Sequence, residues 1–131
     1  MKNHQPSEYD IQWQIADFIR YQYPSVIFHM DLSGVRIPIG LAVKIKRLQP
    51  YRAFPDIQIC EPRGRFSGLF IELKKTRSDL YTKTGAYRQT SHISEQRTVL
   101  ANLKRKGYQA VFACGFDEAK QIISDYLDRR I

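Results

Sequence analysis

Three residues of this sequence have types and spacing that could do chemistry: Asp56, Glu72 and Lys74. Asp56 stands in the run Phe54-Pro55-Asp56-Ile57-Gln58-Ile59-Cys60, and the other two in Leu69-Phe70-Ile71-Glu72-Leu73-Lys74-Lys75. Both runs are β-prone, and the Pro, Gly and Ser of the segment between them predict a hairpin. A pairing centred on Gly64 sets Asp56 opposite Glu72. Side chains two apart share a strand face, so Lys74 points the same way. Opposed carboxylates within about 4 to 6 Å repel unless one is protonated or a cation lies between them. A hard divalent ion such as Mg²⁺ takes oxygen ligands from one or two carboxylates and leaves its other positions to water and phosphate. The same residues admit a plainer reading, in which Asp56 opens a strand after a proline turn and Glu72 and Lys74 are solvated strand-end charges.

The elements that must position these residues can be read along the chain. Ser7 is a good N-cap, Glu8 and Asp10 fall in the first turn, and Ile11, Ile15, Phe18 and Ile19 recur with helical spacing up to the break at Pro24. Glu8 lies one turn before Ile11 and Gln12, so it can reach a sheet end and join a metal site; as a first-turn acid it also needs no further explanation. Val26, Ile27 and Phe28 predict a strand within Ser25 to Leu32, broken by Gly34 and Pro38. Ile39 to Leu48 predicts a short helix with a basic face. Thr76 to Thr90 has no clear periodicity, and a connection of that length is often functional or mobile. Ser91 to Lys106 predicts a helix with Gln96, Val99, Leu100 and Leu103 on one face and Gly107 as its stop. Gln96 is an amide on an apolar stripe, which must find a partner or stay at the exposed end of its helix. Tyr108 to Cys114 alternates as a strand, and a helical connection from the Lys74 strand makes it a parallel neighbour through a right-handed crossover. Gly115 and Asp117 open a last helix with Ala119, Ile122, Ile123, Tyr126 and Leu127 buried and Arg129 and Arg130 at its end. The expected fold is α/β, a small mixed sheet flanked by helices.

Length and charge bound the class. At 131 residues the chain fits one domain, residues 1–131, with enough bulk for a core without staples. Its formal net charge of +8 points to a polyanion, nucleic acid before membrane, since no apolar run of membrane length accompanies it. Arg36, Lys44, Lys46, Arg47 and Arg52 follow one another with no acid among them, and a run of one sign favours phosphate contact. Lys75, Arg77, Lys83 and Arg88 extend the candidate DNA surface. The polar start lacks a signal-peptide core, which makes a cytoplasmic, intracellular protein the expectation. Cys60 and Cys114 form no ligand cluster and read as small buried residues; His4, His29 and His92 are scattered.

Taken together, Ser7-Glu8 opening the first helix, Phe54-Pro55-Asp56, Ile71-Glu72-Leu73-Lys74, Ser94-Glu95-Gln96 and Gly107 before Val111 resemble the PD-(D/E)XK nuclease superfamily, and within it the VRR-NUC branch. The resemblance covers nearly the whole chain and implies the restriction-endonuclease-like fold. It implies that Asp56, Glu72 and the Leu73 carbonyl ligate Mg²⁺, with Mn²⁺ as a substitute, and that Glu8 holds metal-bound water. Lys74 would orient the nucleophile and Gln96 support the site. This chain departs from the pattern in having Phe54 where the family frequently has Gly, and in its long Thr76 to Thr90 insert. The expected activity is metal-dependent hydrolysis of DNA phosphodiesters by a homodimer acting on branched DNA such as Holliday junctions. A catalytically silent nucleic-acid-binding module and a sequence-specific restriction-type endonuclease are the alternatives.

Overall fold

The computed structural model describes residues 6–32 and 35–129. The first helix, α1 (Glu8–Gln22), starts where Ser7 and Asp10 cap each other, the Asp10 amide donating to Ser7 Oγ at 3.1 Å and the Ser7 amide to Asp10 Oδ2 at 3.0 Å. These two bonds satisfy amides that no helical carbonyl can reach. There follow β1 (Phe28–Met30), α2 (Ile39–Leu48), β2 (Ile57–Ile59), β3 (Leu69–Lys74), a single turn α3 (Arg77–Leu80), α4 (Ser91–Arg105), β4 (Gln109–Cys114) and α5 (Phe116–Leu127).

The four strands lie in the order β1-β2-β3-β4, antiparallel in the first two pairs and parallel in the last. The sheet is therefore mixed and flanked by helices, as the sequence predicts. The β2–β3 register pairs Ile57 with Ile71 and Ile59 with Leu69. Extended by one residue, that register sets Asp56 across from Glu72. Every residue of β3 is buried, because the strand has neighbours on both edges and helices over both faces. Leu69, Ile71 and Leu73 join Ile57 and Ile59 in a core with Ile11, Ile15 and Ile19 of α1 and Ala119, Ile123 and Tyr126 of α5. On the opposite face Phe70 and Ala110 pack under Leu100 of α4, with the rings of Phe54 and Tyr108 edge-on to Phe70 at 5.6 and 5.1 Å. Glu72 and Lys74 project to this second face. The Tyr126 hydroxyl donates to the Glu61 carbonyl at 2.7 Å and Arg63 Nε to the Leu127 carbonyl at 3.1 Å, which ties the turn between β2 and β3 to α5.

Several details depart from the sequence reading. β1 begins only at Phe28; Ile27 is exposed, though its carbonyl still accepts the Cys60 amide at 2.8 Å. Cys60 is exposed and Cys114 half-buried, not a buried pair, because Cys60 falls one residue past the end of β2. The 76–90 segment is built: Thr76 and Asp79 cap α3, and Tyr81 bridges Tyr87. α2 forms but buries no residue, leaving Ile39, Leu41, Val43 and Leu48 exposed beside its cations. Gly34, His4 and Arg130 lie outside the described residues. Among the described residues no helix is long and apolar enough to cross a membrane.

Gly68 shows how closely β2 and β3 approach where they diverge. A Cβ on it would meet the Ile59 carbonyl oxygen at 2.9 Å and the Tyr108 ring at 3.5 Å, and backbone cannot swing aside. Gly68→Ala should lower stability by ~1 to 3 kcal/mol, the usual cost of overpacking. Urea denaturation of both proteins measures this, and an unchanged midpoint would show that the strands part freely there.

Candidate active site

β2 ends at Ile59 in one direction and at Ile57 in the other. Past Ile57, β3 continues and its amides need partners. By the β2–β3 register Leu73 faces Pro55, which has no amide to donate to the Leu73 carbonyl, so the ladder stops there. Asp56 solves this with its side chain: Oδ2 accepts the Leu73 amide at 2.8 Å. N–H and C=O of one strand residue face the same neighbour, so the Leu73 carbonyl also points toward the Asp56 side.

Two further contacts fix Asp56 from behind. Its carbonyl accepts the Asp31 amide at 2.8 Å, and Gln12 Nε2 donates to the carbonyls of Asp31, at 2.8 Å, and Asp56, at 3.3 Å. Gln12 is buried on α1, one turn after Glu8, and thereby sets which part of α1 faces the sheet end. Neither Gln12 nor Asp31 was singled out from the sequence. Their signal there is weak: a polar residue interrupting the Ile11 to Ile19 stripe, and an acid just past a strand.

Glu72 is held from the other side. Gln96 Nε2 of α4 donates to Glu72 Oε1 at 2.7 Å and lies 3.0 Å from His92 Nε2, while Glu72 Oε2 is buried with no hydrogen-bond partner. Gln96 is only 3 % exposed, so it found a partner instead of a surface position. Asp56 and Lys74 are each 7 % exposed and Glu72 6 %; the reading of Glu72 and Lys74 as solvated strand-end charges is overturned. The structure thus brings Asp56, Glu72, Lys74 and Gln96 together on the α4 face, with half-buried Glu8 close enough for its charge to act on both carboxylates.

Burial dominates the electrostatics. It raises Asp56 from 3.8 to about 6, against the Leu73 amide, which holds it down, and with the Glu8 and Asp31 charges adding to the rise. Glu72 is pushed from 4.5 to about 10 by burial first and the Asp56 charge second, with Lys74 opposing. A proton on Glu72 is one resolution of this conflict. A divalent cation is another, and the orphaned Oε2, the Asp56 carboxylate and the Leu73 carbonyl are the hard oxygen donors it selects. Among the described residues no three Asp, Glu, His or Cys side chains form a metal-binding group, so an ion held here would rely on the two carboxylates, a carbonyl and water, with Glu8 reached through water.

The candidate DNA cations Arg36, Lys44, Lys46, Arg47, Arg52, Lys75, Arg77, Lys83 and Arg88 are all exposed. Two already have structural work: Arg77 lies 3.7 Å from Glu118 and over the Tyr81 ring, and Arg88 donates to the Ser78 carbonyl.

No protein-family model matches this chain, and no curated protein does. A solved structure described as "VRR_NUC domain protein" does match, with 24% sequence identity and a TM-score of 0.65, covering 95% of this chain and 91% of that one. The chain therefore has the fold of a VRR_NUC domain protein, the fold that the Pro-Asp56 and Glu72-Leu73-Lys74 motifs imply.

Between 4.5 and about 10 the folded protein keeps a proton on Glu72 that the unfolded chain has released. Without divalent metal, stability should therefore fall as pH rises through this window, at no more than about 1.4 kcal/mol per pH unit for one proton. Above about 6, where Asp56 has titrated, Glu72 carries the slope until the ordinary cysteine value of 9.0, past which the Cys114 thiol, pushed up by burial, adds to it. Urea midpoints measured across this range in chelator should decline for the wild type and much less for Glu72→Gln. Parallel slopes would show that the proton is not on Glu72.

Proposed function

We propose that this chain is a divalent-metal-dependent nuclease that hydrolyses DNA phosphodiester bonds, Mg²⁺ being the expected ion and Mn²⁺ a substitute. The observation that carries the reading is the buried Asp56 and Glu72 pair, with an orphaned carboxylate oxygen and a buried lysine beside it, on the fold of a VRR_NUC domain protein. Such a pair is costly to bury and contributes little to a core that hydrophobic residues could fill.

Asp56, Glu72 and the Leu73 carbonyl would hold the ion, and Glu8 would reach it through water. When bound, a divalent ion supplies a more acidic water and positive charge for the phosphate oxygens. The chain's own residues do the positioning. The Leu73 amide and Gln12 keep Asp56 in place, and Gln96 fixes Glu72 by one oxygen while leaving the other free. Lys74 brings an ammonium to the same face, where it can orient the attacking water and stabilise charge developing on the phosphate. An ammonium has no lone pair, so Lys74 is not itself a ligand. The exposed cations of α2 and of the 75–88 segment would hold the DNA backbone. Branched DNA such as a four-way junction fits this reading, with two chains paired symmetrically to serve two strands.

Two experiments test it. Calorimetric titration of Mn²⁺ should give heat with the wild type that Asp56→Ala loses, and equal binding by both would remove the metal from Asp56. Lys74→Met should retain Mn²⁺ binding while single-turnover cleavage of a labelled junction falls by ~10² or more. Cleavage at the wild-type rate would take Lys74 out of the mechanism. No cleavage by the wild type on duplex, single-strand, flap or junction DNA would favour the silent binding module.

If about six cations contact phosphates, log affinity for DNA should fall with log salt at a slope of roughly −5. Fluorescence anisotropy over a salt series gives this slope, and an affinity indifferent to salt would assign the charge another role.

A further inference from the structure

β4 is the last strand of the sheet, so one of its edges has no strand beside it. Two open depressions of about 700 and 390 Å³ follow that edge and meet at Lys104 and Ala110. Neither is lined by an acid. At the Gln109 end the Phe66 ring has the Arg65 guanidinium 5.5 Å and the Arg129 guanidinium 5.3 Å from its centre. At the Phe112 end Tyr87 has the Arg97 guanidinium at 4.3 Å, Tyr81 at 5.2 Å and Phe112 at 5.9 Å. The rise of a strand separates the two ends by about 10 Å. Gln109 adds a buried amide oxygen without a hydrogen-bond partner.

We propose that this edge is a groove for single-stranded nucleic acid, with Phe66 and Tyr87 as base-stacking stations and the arginines and Lys104 following the phosphates. Rings paired with arginines along a basic track are what sequence-tolerant strand binding requires: every base has a face to stack and every link a phosphate to neutralise. The groove also abuts the carboxylates. Phe112 pairs with Glu72 across β3 and β4, and Arg97 follows Gln96, the residue that holds Glu72. A strand seated on Tyr87 would lie one strand away from Glu72, with Asp56 beyond it on the β2 side, so on the nuclease reading, on which this role in substrate choice rests, the preferred DNA carries an unpaired arm. A peptide adding as a fifth strand would use the same edge, but its backbone bonds have no need of the ring and arginine pairs.

The test separates binding from cleavage. Fluorescein-labelled oligothymidylate is titrated in chelator, with anisotropy as readout, into wild type, Tyr87→Leu, Arg97→Gln and Lys120→Gln. Tyr87 and Arg97 are exposed, so folding should survive, and thermal midpoints check it. The wild type should bind the single strand more tightly than blunt duplex of equal length. Tyr87→Leu should weaken single-strand binding about tenfold, Arg97→Gln should weaken it too, and Lys120→Gln, which removes an exposed cation of α5 that lies over Phe18 and outside the groove, should bind nearly as the wild type does. Wild-type affinity in both groove variants would overturn the proposal, as would displacement of the oligonucleotide only by an acidic peptide. Intact oligonucleotide binding with no cleavage of any substrate would instead sink the nuclease reading and leave the groove standing.

Discussion

The structure depends on the burial of two carboxylates on neighbouring strands at one end of the sheet. Desolvation pushes both toward the neutral form, and the Asp56 charge raises Glu72 further, while a hydrogen bond from Glu72 helps Asp56 to stay charged. The surrounding residues answer that cost with hydrogen bonds, and Lys74 adds a single counter-charge beside Glu72. The Leu73 amide serves Asp56, the Gln96 amide serves Glu72, and Gln12 anchors the backbone on which Asp56 is mounted. Helices α1 and α4, on opposite faces of the sheet, thus each send one buried amide to this end. Their apolar stripes set how closely they pack, and the amides set where along the sheet they stop.

How much of this was legible in the sequence follows from the range of the interactions. The hairpin register could be read because a strand has period two and β2 and β3 stand equally far from Gly64, so Asp56 and Glu72 follow from counting outward from it. Helix limits could be read at Ser7 and Gly107, whose effects reach only a few residues; the cap that Thr90 gives α4 was not read. Gln12 was opaque: its acceptors are carbonyls 19 and 44 residues away, and any residue offers a carbonyl. Gln96 was visible as an amide on an apolar face, though its partner was not. The exposure of Cys60 depended on β2 ending one residue earlier than its apolar run. The cluster around Tyr87 was hidden because its rings come from the 76–90 loop and from β4, which only the tertiary fold brings together.

The placement of positive charge divides into two kinds. Lys74 is buried against Glu72, where a low dielectric makes a single charge count for more than in water. The cations of α2 stand on a helix that buries nothing, where a charge is felt only at long range and is screened by salt. A charge of the first kind governs the groups next to it, and one of the second kind only the potential around the molecule. Sequence counts treat the two alike, since both contribute equally to the net charge of +8.

A sheet of this kind would be better stabilised by apolar residues at both carboxylate positions. Replacing a buried charged cluster with well-packed side chains is often neutral or stabilising, whereas removing one partner leaves the other unpaired. The arrangement around Glu72 runs against stability in a second way. Gln96 satisfies one of its oxygens and no residue satisfies the other, although α4 has the length and position to offer a second donor. Asp10, at the surface start of α1, by contrast has a donor on each oxygen, the Ser7 amide on Oδ2 and Trp13 Nε1 on Oδ1 at 3.4 Å. An oxygen left without a donor inside a packed face, beside a buried lysine, is the feature of this end of the sheet that fold stability does not account for, and for that reason the proposed chemistry is placed there.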